Sequence, residues 1–410
     1  MKNYVILGNG AAAVGCIEGI RSADKSGKIS VISAENRHVY ARPLISYYLE
    51  GKTDAKKMKY RPDDFYDKNG CEVFYGETAV KIDTSSKTVY TDKDTAVKYD
   101  SLCVATGSSP FVPPFEGLDT VENKFTFMTL DDALAVEKKL SLGSRVLIVG
   151  AGLIGLKCAE GIYGKAAEIT VCDLADRVLS SILDAECAIT VQKRLEKQGI
   201  NFMLSDSAVK FDKNTAYMKS GKTVFFDILI LAVGVRANTA LIKDIGGDVN
   251  RGITVNERME TSVRDIYAAG DCAEGNDISF GAKRVLAIMP NAYIQGYTAG
   301  VCMAGGDAVF DNAIPMNSIG FFGHHIMTAG TYEGECSETV NGENVKRFFV
   351  KDGFLKGFII IGNTDRAGIY TSLIRNRVPL DGVDFESLKK LASNSVFSSE
   401  IRKQKFGGVV

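Results

Sequence analysis

One pattern is written twice in this 410-residue chain, and it constrains the fold more than any other feature. Asn3-Tyr4-Val5-Ile6-Leu7 reads as a short buried strand. Gly8-Asn9-Gly10-Ala11-Ala12-Ala13 follows, and apolar residues at helical spacing continue to about Ile20. A second strand, residues 29–33, stops just before Glu35. The grammar returns at residues 145–149, followed by Gly150-Ala151-Gly152-Leu153-Ile154-Gly155, a helix to about Tyr163, a strand at 168–172 and then Asp173. Each part has a physical task. The first glycine permits the tight turn, and the second lets the backbone approach a pyrophosphate. The third (Gly155, or Ala13 in the first copy) lets the helix pack close to the sheet. The unpaired N–H groups and the dipole at the helix start favour an anion. The acid after the second strand accepts from ribose hydroxyls. One such run is a weak signal, because any glycine-rich strand-to-helix turn satisfies it. Two runs, each with strand, helix and acid in place, point to two dinucleotide sites.

Other segments fit around the two copies. Residues 73–75, 79–82 and 87–90 alternate like a small antiparallel sheet. Residues 99–107 form an apolar strand ending in Ala105-Thr106-Gly107, and residues 226–234 close the second copy with a near repeat. Pro110, Pro113 and Pro114 mark a linker. Residues 265–271 read as a buried strand ending in Gly270-Asp271, and 290–303 as a helix entered through Pro290. From about Ala313, short strands (318–322, 347–350, 358–361) mix with helices (370–375, 385–391). The expected fold class is α/β: two Rossmann-like dinucleotide-binding domains plus a smaller α+β C-terminal domain. The expected boundaries are 1–112 with 245–312 for a discontinuous first domain, 113–244 for the second and 313–410 for the third. The tail, 404–410, carries no core pattern and is expected to be mobile.

Composition removes several classes of function. Lys and Arg number 49 against 50 Asp and Glu, a net charge of -1, which argues against a bulk electrostatic nucleic-acid binder. No apolar run approaches the length of about 18 residues needed to cross a membrane. Met1 leads directly into a strand, with no signal-peptide pattern. The nine cysteines are scattered; the closest pair, Cys158 and Cys172, is fourteen positions apart, so there is no CxxC for zinc or for a dithiol. An odd, dispersed set fits reduced thiols in a cytoplasmic protein. His38, His324 and His325 are the only histidines, and no metal site is expected.

Taken in order, residues 8–13, Ala105-Thr106-Gly107, residues 150–155 and Gly270-Asp271 resemble the FAD-dependent pyridine nucleotide-disulfide oxidoreductase superfamily, across the whole chain. The resemblance implies that the first unit, completed by the Gly-Asp segment, holds FAD and that the inserted unit holds NAD(P)H. The implied FAD residues are Gly8, Gly10, Ala11, Ala12, Glu35, Arg42, Pro43, Val80, Ala105, Thr106, Gly107, Gly270 and Asp271, with Ala292 at a helix start facing the flavin pyrimidine. The implied NAD residues are Gly150, Gly152, Leu153, Ile154, Gly155, Asp173 and Gly234. The third domain would wall the flavin cleft and often serves as a dimer interface, so a monomer or homodimer is implied.

Two stretches narrow the resemblance. Tyr40-Ala41-Arg42-Pro43-Leu44-Ile45-Ser46 and Gly155-Leu156-Lys157-Cys158-Ala159-Glu160 look most like NADH:rubredoxin oxidoreductases and the flavoprotein portion of NADH-dependent nitrite reductases. Members with a redox-active cysteine carry it where this chain has Pro43. The nearest cysteines are Cys16, which reads as helix packing, and Cys71. No catalytic side chain is fixed by the pattern. Tyr47 and Lys157 are candidates, because they stand where oxygenase-coupled relatives often pair Lys and Glu beside flavin N5. Lys157 reads either as a solvated helix residue or as a cation favouring an anionic reduced flavin. Asp173 favours NADH over NADPH, since a carboxylate binds a free diol and repels a 2'-phosphate; Arg177 is the complication, read here as a surface arginine near the pyrophosphate. The implied reaction passes hydride from NADH to flavin N5 and then electrons to a small redox protein, with rubredoxin the first candidate. Dioxygen, a nitrite reductase partner, a small organic acceptor and an NADH-sensing role with slow turnover are the alternatives. Because rubredoxins are typically acidic, Lys283 and Arg284 are candidate docking charges, followed by Arg375 and Arg377. No nucleic-acid or membrane partner is expected.

Overall fold

The computed structural model describes residues 1–390, 392 and 393. The expected end of a helix at Leu391 and the tail 404–410 lie outside the described residues. Contacts divide the chain into two compact units. One holds Met1–Asp176, Gly199–Asn276 and Ala282–Asp311; the other holds Arg177–Gln198, Asp277–Gly281 and the chain from Asn312 onward.

The first unit contains two parallel sheets. Asn3–Leu7 is central in the first because four of its five residues are buried and both of its edges can pair. The strand order is Ile266–Ala268, Ser101–Val104, Asn3–Leu7, Lys28–Ser33, Cys71–Tyr75, with every pair parallel. One expectation is corrected here. Residues 73–75 belong to the edge of this parallel sheet, and the antiparallel meander consists of Ala79–Asp83, Thr88–Thr91 and Ala96–Lys98. An edge strand is half covered, so it shows the same apolar alternation as a meander strand.

The second sheet repeats the plan: Ile200–Leu204, Glu168–Asp173, Arg145–Val149, Ile228–Leu231, Lys124–Phe125, again all parallel. It has its own meander at Ala208–Asp212, Thr215–Met218 and Thr223–Phe225, which the sequence reading did not identify. The duplication therefore extends beyond the glycine turns. Where the chain crosses between the sheets, Ser108–Pro110 pairs antiparallel with Val235–Ala237, so Pro110 sits in a ribbon. The Arg236 guanidinium lies 4.0 Å from the centroid of the Phe111 ring.

Two helices carry the first unit's tightest contact: α1 (Ala11–Ala23) and Met289–Met303. Each has a glycine pair four residues apart, at Gly15 and Gly19 in one and at Gly296 and Gly300 in the other. A Cβ at these positions would lie 2.2 Å from Tyr293 O, 2.2 Å from Tyr297 O, 1.9 Å from Ala12 O and 2.1 Å from Cys16 O, respectively. The helices therefore meet backbone to backbone.

The second unit is built on an antiparallel sheet in the order Met316–Phe321, His324–Gly330, Phe354–Ile361, Asn344–Lys351, Glu335–Asn341. Helix Gly368–Arg375 covers it through Tyr370, whose ring lies 4.8 Å from Phe348 and 5.6 Å from Phe358. Helix Ala185–Lys197 belongs to the same unit. Its N-cap, Asp184, accepts from the Cys187 N–H at 2.9 Å and pairs with Arg347 at 2.6 Å. Among the described residues, no helix is long and apolar enough to cross a membrane.

Gly296→Ala is expected to destabilise the protein. The added Cβ, 1.9 Å from a backbone oxygen, can be relieved only by moving a helix. The strain, about 1–3 kcal/mol, exceeds the helix-propensity gain of about 1 kcal/mol. Gly143→Ala, where nothing lies within 4 Å, is the control and should change stability by no more than about 0.5 kcal/mol. Chemical denaturation of the two variants checks this.

Candidate cofactor site

The two glycine turns are superposable in their contacts. Gly8 has φ +107, and a Cβ there would meet Ala105 O at 2.1 Å. Gly150 has φ +118, and its Cβ would meet Ala232 O at 2.2 Å. Both positions therefore demand glycine, and each presses its turn against the end of the neighbouring strand. At Gly10 and Gly152 a Cβ would meet nothing within 4 Å, so the backbone there is open to a ligand. These two residues cap α1 and the helix Leu153–Gly161 with no side-chain hydrogen bond, leaving the first N–H groups of each helix for another acceptor. Gly155 packs as expected, its Cβ position 2.0 Å from Gly150 O, and the matching Ala13 is fully buried. Gly107 and Gly234, at the ends of the paired strands, also have open Cβ positions. Ala11, Leu153 and Ile154 are half-buried in the first helical turns.

The acids differ in their partners. Asp173 accepts from the Ala151 N–H at 2.6 Å and the Ala175 N–H at 2.8 Å, which ties the strand end to its own glycine turn. Glu35 instead pairs with the Arg42 guanidinium and accepts from the Tyr40 hydroxyl at 2.7 Å. Burial pushes the Tyr40 phenol well above its ordinary pKa. Thus two residues read separately from the sequence, Glu35 and Arg42, form one ion pair. The neighbouring Pro43 is exposed within the short turn Arg42–Leu44.

Gly270-Asp271 closes the first site. Gly270 has φ +81, and its Cβ would fall 2.9 Å from Ala12 Cβ and 3.6 Å from Ala292 Cβ. Ala12, Gly270 and Ala292 therefore meet. The Gly270 N–H donates to Gln295 Oε1 at 2.8 Å. Gln295, 2% exposed, was missed; a polar residue one turn beyond Ala292 in an apolar helix was the available signal. Asp271 is largely buried and has no hydrogen-bond partner among the described residues. Burial raises its pKa, and the charge on Arg42 opposes the rise. Asn238 holds the strand end beside it, its Nδ2 donating to Thr106 O at 2.9 Å. Val80 lies on the meander, 54% exposed at a bulge.

The structure brings Tyr47 and Lys157 together, with the ammonium 4.6 Å from the ring centroid. Lys157 also pairs with Glu160, and their side chains are 16% and 4% exposed. The solvated reading of Lys157 is therefore overturned, and Glu160 is an additional member of the cluster. Lys283 and Arg284 are exposed on Ala282–Arg284, although Lys283 donates to Val255 O at 2.5 Å. Arg375 is half-buried, its guanidinium against Met316 Sδ at 3.9 Å, and burial lowers its pKa; Arg377 is exposed. Arg177 is half-buried.

The nine cysteines are free thiols. A hydrogen bond that Cys103 donates to Cys16, together with burial, raises Cys103 well above the ordinary thiol range. Burial likewise raises Cys158 and pushes Cys272 up to about 11. These shifts disfavour the thiolate, which is the nucleophilic form.

The fold and site define an enzyme of the NAD(P)H-dependent flavoprotein oxidoreductase class, with FAD and NAD(P)H as its cofactors. Residues 2–296 match the family described as pyridine nucleotide-disulphide oxidoreductase, and the chain belongs to that family. It is 30% identical over 397 residues to the NADH-dependent phenylglyoxylate dehydrogenase subunit epsilon of Aromatoleum evansii, covering 92% of each chain. It is 33% identical over 371 residues to the nitrite reductase (NAD(P)H) of Bacillus subtilis, covering 88% of this chain but 44% of that protein. The chain thus spans less than half the length of that relative. The crystal structure of NADH:rubredoxin oxidoreductase from Clostridium acetobutylicum superposes with a TM-score of 0.76 at 24% identity, covering 95% of this chain and 100% of the other.

Asp271→Asn tests the unpartnered carboxyl. A folded pKa raised above the unfolded value means that this group's contribution to stability is present below the unfolded pKa, about 3.9, and is lost as pH rises through the folded value. The Asn variant of the apoprotein should therefore match the parent below about pH 4 and melt higher near neutrality. Its affinity for FAD should fall by about tenfold or more, the worth of a hydrogen bond to a charged acceptor. Thermal melts across pH, with FAD titrations, measure both.

Proposed function

We propose that this protein carries electrons from NADH through FAD to a small one-electron carrier of the rubredoxin type. The observation that carries the reading is the pairing of two open glycine turns, each with its acid, in one compact unit where Cys103, Cys158 and Cys272 are buried and pushed toward the thiol form. The N-terminus of α1, with Gly8, Gly10, Ala11 and Ala12, would receive the FAD pyrophosphate. Glu35, Arg42, Pro43 and Val80 would line the adenosine and flavin sides, and Ala105, Thr106, Gly107, Gly270, Asp271 and Ala292 would close over the ribityl chain and the pyrimidine. Gly150, Gly152, Leu153, Ile154, Gly155, Asp173 and Gly234 would hold the nicotinamide nucleotide. The open Cβ positions at Gly10 and Gly152 and the unpartnered Asp271 fit such groups. This reading keeps 1–112 with 245–312, 113–244 and 313–410 as functional domains. When bound, the flavin supplies the switch between a two-electron donor and one-electron acceptors. Asp173, fixed by two backbone N–H groups, favours NADH because it would repel a 2'-phosphate. Nine thiols without a disulfide fit a reducing cytoplasm.

A second reading has a specific observation behind it: the Aromatoleum relative, matched over 92% of both chains, is a subunit of a larger dehydrogenase. The acceptor would then be a partner protein, and the protein would act as its NADH-oxidising subunit. An anaerobic panel of rubredoxin, ferredoxin, quinone and, separately, dioxygen distinguishes the two. The rubredoxin reading expects rapid reduction of rubredoxin that slows as salt rises from about 0.05 to 0.5 M, because the Debye length shrinks from roughly 14 Å to about 4 Å. Lys283→Glu with Arg284→Glu should slow that step several-fold and leave flavin reduction unchanged. No reduction of rubredoxin rejects the acceptor assignment, and a salt-independent rate rejects charge steering.

A further inference from the structure

The segment 37–50, which follows the second strand of the first sheet, is fastened at several points to the helices Leu130–Lys139 and Leu153–Gly161 and their flanks. Arg37 pairs with Asp131, the Leu130 N–H donates to the Tyr40 hydroxyl at 2.9 Å, and Arg42 reaches Met128 O at 3.4 Å. Farther along, the short helix α2 (Ile45–Leu49) rests on α3 (Leu153–Gly161), the helix that follows the second glycine turn. A Cβ on Gly161 would lie 3.0 Å from Ser46 O and 3.2 Å from Leu49 Cβ. The Lys165 ammonium donates to Leu49 O and lies 3.8 Å from the Glu137 carboxylate, and burial and Glu137 raise the Tyr48 pKa. Two ammonium groups lie near the Tyr47 ring centroid, Lys157 at 4.6 Å and Lys52 at 5.9 Å. Lys157 is in turn paired with the buried Glu160.

We propose that Lys157, clamped between Tyr47 and Glu160, is a positioning residue that fixes how the nicotinamide approaches the flavin, without contributing to the binding of either cofactor. This rests on the cofactor placement proposed above. Lys157 sits in the second turn of α3, about 7 Å along the axis from the glycine turn. It therefore couples the helix whose start would hold the nucleotide to the helix that follows Arg42-Pro43. Because Glu160 pairs with it, the ammonium presents little net charge at a distance, which leaves geometry as its means of action. A buried ion pair contributes more to uniqueness of arrangement than to stability in the best-attested cases. Hydride transfer is sensitive to such an arrangement, since a misplacement of about 1 Å can cost on the order of 100-fold in rate.

The test uses the FAD-loaded enzyme and four variants: Lys157→Met, Lys157→Arg, Tyr47→Leu and the double Lys157→Met/Glu160→Gln. The double variant leaves no unpaired carboxylate in the core, so it separates positioning from folding. Three quantities are read: FAD per chain, the Kd for NAD+ by calorimetry, and the limiting rate of flavin bleaching at saturating NADH under anaerobic conditions. The double variant and Tyr47→Leu should keep one FAD per chain and an NAD+ Kd within about twofold of the parent, while the limiting rate falls about 10- to 100-fold. Lys157→Arg should recover most of the rate. A parental limiting rate in the double variant overturns the proposal, as does an NAD+ Kd that weakens in proportion to the rate. A parent protein that holds FAD but is not bleached by NADH overturns the cofactor placement itself, and the inference falls with it.

Discussion

Four missing side chains hold the first unit together. Gly15 and Gly19 on one helix, and Gly296 and Gly300 on the other, let two backbones meet where any Cβ would strike a carbonyl oxygen. Close packing at this seam sets more than stability. Helix α1 begins at the first glycine turn, and Met289–Met303 begins three residues before Ala292. The seam therefore decides that Ala12, Gly270 and Ala292 meet, with the half-buried Asp271 next in the chain. A site assembled from both ends of the unit depends on this contact, because the chain between supplies a complete second sheet.

The two halves show how one solution is reused with different fastenings. Gly8 against Ala105 and Gly150 against Ala232 are the same contact to within 0.1 Å in the nearest approach. The acids have diverged. Asp173 is held by two backbone N–H groups, a neutral setting. Glu35 has a cation and a phenol as partners, so a ligand there meets a compensated acid. Cys103, Cys158 and Cys272, buried and pushed toward the thiol form, are packing groups.

The glycine turns, the acids and the strand ends were legible because each is a local pattern: a turn needs glycine, and a buried strand needs consecutive apolar residues. The edge strand Cys71–Tyr75 was misassigned because half-burial gives the same alternation in a parallel edge as in a meander. The helix seam was missed although both glycine pairs were visible, since spacing alone does not say that Gly19 will face Tyr297. Lys157 shows the same limit. Its partner Glu160, three residues on, lies on the same helical face and could have been read from spacing. Tyr47, whose ring lies 4.6 Å from the ammonium, is supplied by tertiary packing.

Electrons entering from NADH are expected to stop on the flavin and not to pass to a protein thiol. Anaerobic titration of the purified yellow protein with NADH, followed by a count of reactive thiols in denaturant, tests it most directly. Complete bleaching is expected at about one NADH per flavin, with the nine thiols of the oxidised protein still nine after reduction. A requirement for two NADH per flavin, with two thiols gained on reduction, would contradict it.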